Sequence, residues 1–202
     1  VRKPGKLGGI MYMMKLYTIV HKLRGYDIVQ LINPMFLELK AECIFPIYQY
    51  LRKHNKKVIL GGFGMDYYWV SVCCKDKPLR YSDFNIGDKL RTNTDALKER
   101  KDWLGTEKGR LNQMIAEDCD GIITGLYEYL ACYQPSFPQK TIFIPFPIKP
   151  QLITPENSNS HTYVENHQVI PLYIPKKVKL FIGINKSRSE YKGTDIMLKA
   201  AQ

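Results

Sequence analysis

Residues 27–32 read Asp-Ile-Val-Gln-Leu-Ile and are followed directly by Asn33 and Pro34. A short run of this kind, rich in β-branched residues, is typical of a buried strand in a parallel sheet. Proline disfavours helical geometry at the residue before it, so the run ends at Asn33 and does not continue as a helix. The stretch therefore predicts a buried parallel strand.

The segments around this strand alternate between helix and strand patterns. We predict strands over residues 27–32, 58–60, 120–124 and 140–145, and helices over residues 10–23, 35–54, 106–118 (with Thr106 as N-cap) and 126–133. Residues 67–72 fit either a strand or a helix, and residues 73–105 show no clear pattern. The alternation indicates an α/β fold, with a Rossmann-like parallel sheet flanked by helices.

The helix predicted over residues 35–54 carries an apolar stripe and one proline. Residues spaced three or four apart form the stripe expected to face the core: Phe36, Leu39, Cys43, Ile47 and Leu51. Pro46 removes a backbone hydrogen bond from this segment, so we expect a kink or two shorter helices. The basic, glycine-rich residues 1–9 predict a loop before the first helix.

The composition is that of a globular protein with a strong positive charge. The 202 residues include 30 Lys or Arg and 19 Asp or Glu, which gives a net charge of +11 and favours anionic partners. The cations are dispersed and no helix-turn-helix, zinc or RNP-type signature is present, so we expect no nucleic-acid partner. The five cysteines lack metal-ligand spacing, which is typical of reduced thiols in the cytoplasm.

Proline, asparagine and serine are concentrated towards the end of the chain. Residues 146–176 have the composition of a linker, and a strand pattern begins again at Lys177. We therefore predict a first domain over residues 1–150, a linker over residues 151–176, and the beginning of a second domain over residues 177–202.

A cationic loop follows the first strand predicted in this second domain. The strand ends at Gly183, and Lys186, Arg188 and Lys192 precede a predicted helix. Ligands of open α/β sheets bind where the strands end, and a helix N-terminus favours phosphate. The segment therefore fits a diphosphate-binding loop, and a solvated basic turn is the alternative.

Residues 192–201 read Lys-Gly-Thr-Asp-Ile-Met-Leu-Lys-Ala-Ala. With the strand and cationic loop before them, they resemble the start of the donor domain in family 4 GT-B glycosyltransferases. The resemblance implies that Lys192 binds the diphosphate of the donor. The other cation of the family directly follows the first glycine, where this chain has Ile184, so Lys186 or Arg188 would replace it. The donor-binding residues implied in this way are Gly183, Lys186, Arg188, Lys192 and Gly193.

Three upstream segments resemble the acceptor-side domain of the same family. They are residues 26–34 (YDIVQLINP), 120–130 (DGIITGLYEYL) and 141–148 (TIFIPFPI). The resemblance implies an incomplete GT-B N-terminal domain whose first strand precedes residue 1. It also implies that the E-x₇-E element of the donor site lies beyond Gln202, so we expect this chain alone to be inactive.

The function implied by the resemblance is a hexosyltransferase reaction. The parent enzyme would transfer a sugar from a nucleotide-sugar donor to a glycan or lipid-linked acceptor, with retention of configuration, in the synthesis of cell-envelope polysaccharide. The resemblance implies no metal and no other cofactor. The alternative is a non-enzymatic α/β module that binds a nucleotide or phosphate.

Candidates for binding the acceptor follow the predicted strands. Residues 62–66 (GFGMD) lack the third glycine of a dinucleotide fingerprint, and they fit a loop that faces the acceptor or a tight turn packed by aromatic residues. Thr124 also fits a helix N-cap, and Glu128 also fits a solvated side chain near a helix start. The acceptor-side candidates are Asn33, Gly64, Asp66, Tyr67, Thr124 and Glu128.

The first predicted helix offers a surface for peripheral contact with an anionic membrane. Apolar and aromatic residues of this helix accompany three lysines that lie in it or just before it: Met11, Tyr12, Met13, Met14 and Tyr17, with Lys6, Lys15 and Lys22. The resemblance implies such a contact at the inner face of the membrane. An apolar helix is more commonly part of a core, which is the alternative.

Overall fold

The computed structural model describes residues 5–146 and 198–200. The elements in chain order are α1 (Gly5–Val20), β1 (Ile28–Leu31), α2 (Ala41–His54), β2 (Lys57–Gly62), α3 (Tyr67–Lys75), β3 (Asn85–Ile86), β4 (Lys89–Leu90), α4 (Thr94–Trp103), α5 (Glu107–Asp118), β5 (Gly121–Thr124), α6 (Tyr127–Tyr133) and β6 (Thr141–Phe143). Within the described ranges, no helix is long and apolar enough to cross a membrane. The predicted linker and the donor segment up to Gly193 lie outside these ranges.

Four strands form one parallel sheet in the order β1-β2-β5-β6. The register places Leu31 beside Leu60, Leu60 beside Ile122, and Ile122 beside Thr141. Helices connect the successive strands, so the predicted Rossmann-like α/β architecture is confirmed. Because the spatial order follows the chain order, right-handed connections place their helices on the same face of the sheet.

The main core lies between this sheet face and two of the connecting helices. Val58, Leu60 and Ile122 from the sheet are fully buried. They belong to one cluster with residues of α2 and α5, which include Ile44, Tyr48, Leu111 and Ile115. Burial of each large apolar side chain contributes about 1.5–3 kcal/mol, so this contact is a main source of stability.

Within the described part of the chain, other residues cover only one face of β1. Leu31 points into the core and is 3% exposed, whereas Ile28 on the opposite face is 62% exposed. The prediction of a buried strand is therefore wrong for the described part of the chain, where only Leu31 of the four residues is buried, whereas the parallel pairing is confirmed. The physical reason is the strand order, which places α2 and α5 together on the other face.

A second core explains residues 67–105, where the sequence pattern was ambiguous. Residues 67–72 belong to a helix, α3, and β3 and β4 form a small antiparallel ribbon. Seven buried residues from α3, the residue before the ribbon, α4 and α6 pack together: Trp69, Val70, Cys73, Phe84, Ala96, Trp103 and Cys132. Since α4 buries only two of its residues, its sequence shows no strong apolar period.

The helix after β1 starts later than predicted. Residues 35–40 are irregular and α2 begins at Ala41, although Phe36 and Leu39 still pack against the core. The buried stripe of α2 consists of Ala41, Ile44, Tyr48 and Leu51. Pro46 lies inside α2 without dividing it into two helices.

Two residues of the predicted stripe face a different neighbour. Cys43 and Ile47 are half-buried and line an apolar crevice of about 350 Å³ with Leu16 and Val20 of α1. Helix α1 itself begins at Gly5, so residues 5–9 are helical and the loop predicted there is wrong for them. Helix α1 ends at Val20, so Gly25, five residues later, does not end it; Gly25 has a φ of +79°, which glycine adopts readily.

Candidate functional site

The predicted acceptor-side residues all follow strands of the parallel sheet or end them. Asn33 follows β1, Gly64 to Tyr67 follow β2, and Thr124 and Glu128 lie at the end of β5 and in the first turn of α6. The carboxyl ends of parallel strands lie at one edge of the sheet, which is where open α/β sheets bind ligands. The topology therefore brings these residues to the same edge.

Asp66 is the most buried acidic group at this edge. Its side chain is fully inaccessible, and its Oδ1 atom accepts a hydrogen bond from the backbone N–H of Trp69 at 2.8 Å. Its Oδ2 atom accepts a hydrogen bond from the hydroxyl of Tyr133 at 2.7 Å. Asp66 is therefore the N-cap of α3, a position that satisfies one of the free N–H groups of the helix start.

The surroundings of Asp66 raise the pKa of its carboxyl group. Burial removes the carboxylate from water and raises its pKa from 3.8 to about 6, and the bonds from Trp69 and Tyr133 partly oppose this rise. Burial also raises the pKa of Tyr133 well above the usual tyrosine value, so that its hydroxyl remains a donor. The pair is thus a neutral hydroxyl donor beside a carboxyl group with a pKa of about 6.

A hydrogen-bonded network extends from Asp66 to α5. The side-chain amide of Asn112 donates to the Tyr133 hydroxyl at 3.3 Å, and its oxygen accepts from the backbone N–H of Tyr67 at 2.9 Å. Asn112 and Tyr133 are both fully buried. The network joins α3, α5 and α6, and it holds the start of α3 in place at the edge of the sheet.

This network bears on the binding of phosphate at α3. The N-terminus of a helix attracts anions through its free N–H groups and its dipole. At α3 the attraction is already satisfied by the carboxylate of the chain itself, Asp66. The arrangement argues against a phosphate on the loop of residues 62–66.

The side chains of Asn33 and Thr124 form hydrogen bonds within the protein, to loop residues and to the neighbouring strand respectively. The Asn33 side chain accepts from the N–H of Met35 at 2.8 Å and donates to the carbonyl of Met65 at 3.4 Å. Thr124 is fully buried in β5, and its hydroxyl donates to the carbonyl of Ile142 at 3.5 Å. Helix α6 begins at Tyr127 with Leu126 as N-cap, so the interpretation of Thr124 as an N-cap is wrong.

The accessible part of the edge is partly aromatic. Gly64, Tyr67 and Glu128 are half-exposed. Beside them, the rings of Phe63 and Phe146 lie 5.6 Å apart, and Phe146 packs over Gly125 so closely that a Cβ atom there would lie 2.7 Å from the ring. Phe146 was not among the predicted site residues; its place directly after the strand predicted over residues 140–145 is the sequence signal that could have indicated it.

The predicted donor-binding site lies outside the part of the chain that the structure describes. The donor-binding candidates Gly183, Lys186, Arg188, Lys192 and Gly193 lie in the part of the chain that is not described. In residues 5–146 and 198–200, no group of three or more His, Cys, Asp or Glu side chains is arranged to hold a metal ion.

Comparisons with known proteins do not identify a relative. No protein-family model, no curated protein and no solved structure matches this chain.

Replacing Tyr133 with phenylalanine should lower the free energy of unfolding by about 1–3 kcal/mol. The change leaves Oδ2 of Asp66 and the amide of Asn112 buried without their shared partner, and an unsatisfied buried group costs about that much. Urea unfolding of the variant measures the effect. Tyr127→Phe in the same helix is the control, because Tyr127 is 68% exposed and its change should stay within about 0.5 kcal/mol. Equal stability of the two variants would contradict the network.

Proposed function

We propose that this chain is the acceptor-side part of a glycosyltransferase that uses a nucleotide sugar. In the full-length protein, Lys192 with Lys186 or Arg188 binds the diphosphate of the donor and stabilises it as it leaves. The acceptor, a glycan or a lipid-linked sugar, lies against the carboxyl edge of the parallel sheet. The reaction proceeds with retention and serves the synthesis of cell-envelope polysaccharide in the cytoplasm.

The observation that carries this proposal is the fit between fold and sequence. The segments that resemble an acceptor-side domain form β1, β5 and β6 of a parallel α/β sheet. The acceptor candidates lie at or after the carboxyl ends of β1, β2 and β5, where such sheets bind ligands. The capped N-terminus of α3 makes a nucleotide- or phosphate-binding module less suited to these residues, because Asp66 occupies the place of an anion.

Donor binding tests the proposal. Calorimetric titration of the full-length protein with UDP-, GDP- and ADP-sugars should detect one that binds. Lys192→Ala should weaken that binding about tenfold, since a charge-assisted bond to the diphosphate is lost. Lys199→Ala is the matched control, because Lys199 is exposed and lies in the helical residues 198–200. A folded protein that binds none of these nucleotide sugars would contradict the proposal.

Helix α1 supports a further part of the proposal, peripheral contact with an anionic membrane. Five apolar residues on one side of the helix are 57–73% exposed: Leu7, Ile10, Met11, Met14 and Tyr17. The first 26 residues contain six Lys or Arg and no Asp or Glu. Within the described ranges this stripe is not covered by a core, and an apolar stripe among cations suits an anionic lipid surface.

Vesicle co-sedimentation tests this contact. The full-length protein should bind vesicles that contain phosphatidylglycerol, and should bind pure phosphatidylcholine vesicles much more weakly. The double change Ile10→Glu and Met14→Glu should reduce binding to anionic vesicles about tenfold or more, because two apolar side chains that insert into the membrane are lost and two negative charges are added. Leu97→Glu, on the exposed side of α4, is the control. Equal binding of all three proteins would contradict a role of α1.

A further inference from the structure

A polar cleft of about 560 Å³ lies between the loop after β1 and the junction of α4 with α5. Two segments line it, within residues 35–42 and residues 101–108. Both contain the start of a helix, because α2 begins at Ala41 and α5 at Glu107. Helices that lead into the next parallel strand start at the edge where strands end, so the cleft lies at the ligand-binding edge of the sheet.

The charges that line the cleft are nearly balanced. Three are lysines: Lys40, Lys101 and Lys108. Four are carboxylates: Glu38, Glu42, Asp102 and Glu107. Their sum, 3 − 4 = −1, contrasts with the +11 of the whole chain. This near balance gives a phosphate-rich ligand no net attraction, so the chemistry of the cleft favours a neutral ligand that both donates and accepts hydrogen bonds.

Hydrogen-bond donor and acceptor groups lie side by side in the wall of the cleft. The Nζ atom of Lys108 lies 3.3 Å from Oδ2 of Asp102, and both side chains are about 40% exposed. The hydroxyl of Thr106 donates to the Asp102 carbonyl at 2.7 Å and accepts from the N–H of Gly109 at 3.3 Å. These bonds fix the turn that carries Asp102 and Lys108. An ammonium beside a carboxylate matches two neighbouring hydroxyl groups, each of which can donate and accept.

We infer that this cleft binds a sugar ring of the acceptor through its hydroxyl groups, with Asp102 and Lys108 as the central contacts. That the sugar is the acceptor rests on the proposed function, whereas the binding of a neutral sugar rests on the cleft itself. Met35 lines the cleft, and its N–H group is bonded to the side chain of Asn33, a predicted acceptor-side residue. The cleft thus lies next to the loop at the end of β1.

Nuclear magnetic resonance of the ¹⁵N-labelled full-length protein tests the inference. The probes are methyl glycosides of glucose, galactose, mannose and N-acetylglucosamine, together with maltose and lactose. At least one should shift the amide signals of residues 38–42 and 101–108. Asp102→Asn should weaken that binding about tenfold, the effect of losing one charge-assisted hydrogen bond. Glu42→Gln, at the opposite wall, should weaken it as well.

Asp27→Asn is the matched control, because Asp27 is an exposed aspartate paired with Lys56 outside the cleft. It should leave sugar binding unchanged. Shifts at other residues, no shift with any probe, or equal affinity of Asp102→Asn and Asp27→Asn would overturn the inference. Shifts of the same amides by inorganic phosphate, with none by a sugar, would also overturn it.

Titration of the same sample with nucleotide sugars separates this inference from the proposed function. Sugar binding in the cleft without nucleotide-sugar binding would support the inference about the cleft and contradict the proposed transferase function. Nucleotide-sugar binding without shifts in the cleft would support the transferase and overturn the assignment of the cleft.

Discussion

Replacing Gly109 with alanine is expected to lower the free energy of unfolding by about 2–3 kcal/mol, although the same change in an exposed helix normally stabilises by up to about 1 kcal/mol. An added Cβ atom at Gly109 would lie 2.3 Å from the carbonyl oxygen of Trp103 and 3.0 Å from the ring of Tyr67. The first contact is with backbone, so α5 must move away from the end of α4. That movement disturbs the bond from Gly109 to its cap, Thr106.

Thermal unfolding monitored by circular dichroism measures this effect. For a chain of this length, 2–3 kcal/mol corresponds to a fall in Tm of about 4–12 °C. Gly64→Ala is the control, because nothing lies within 4 Å of the Cβ position at Gly64. A Tm of Gly109→Ala equal to or above that of the wild type would contradict the close approach of α4 and α5.

Replacing Asp66 with asparagine should change how stability depends on pH. The folded state raises the pKa of Asp66 from 3.8 to about 6, so it binds a proton more tightly than the unfolded chain does. The stability that comes from this proton is fully present below about pH 4 and is lost as the pH rises through about 6, with a total of about 2–3 kcal/mol. Asparagine keeps the oxygen that caps α3 but has no proton to lose in this range.

The measurement is the free energy of unfolding in urea, for wild type and Asp66→Asn, from pH 4 to pH 8. The stability of the wild type relative to the variant should fall by about 2–3 kcal/mol over this range, with most of the change between pH 4 and pH 7. A difference that stays constant with pH would show that Asp66 is not buried as described.

The features that could be predicted from the sequence are those set by local chemistry. Thr106 caps α5 as predicted, because a threonine that accepts from the N–H group three residues later needs only its own turn. The strands at residues 58–60 and 120–124 were found for a similar reason, since their apolar runs are short and end at glycine or a turn. These elements require no knowledge of distant residues.

The features that were missed depend on contacts between distant segments. Helix α2 starts at Ala41, after a loop in which Asn33 bonds to Met35 and to Met65, and Met65 lies 32 residues along the chain. The second core joins Trp69 and Cys73 of α3 to Phe84, Ala96 and Trp103, which lie in other segments of the chain. Periodicity within one element cannot reveal such a core.

The candidate site also combines features set by local sequence with features set by contacts between distant segments. The sequence pointed to Asp66 as a residue at the end of a strand, but its partner Tyr133 lies 67 residues away. An aspartate three residues before Trp69 is itself a helix-cap signal, so its structural role was within reach of local reasoning. The cleft between residues 35–42 and 101–108 could not be predicted from local sequence, because it depends on how α2 and α5 pack against each other.

The most direct test of the central claim is sugar transfer by the full-length protein. The protein is incubated with the nucleotide sugar that it binds, labelled in the sugar, and with the lipid and glycan fraction of a cell envelope as acceptor. We expect release of the nucleoside diphosphate together with label in the glycan or lipid fraction, lost in Lys192→Ala and kept in Lys199→Ala. Tight binding of the nucleotide sugar without release of diphosphate or transfer of label would contradict the account and favour a non-enzymatic binding module.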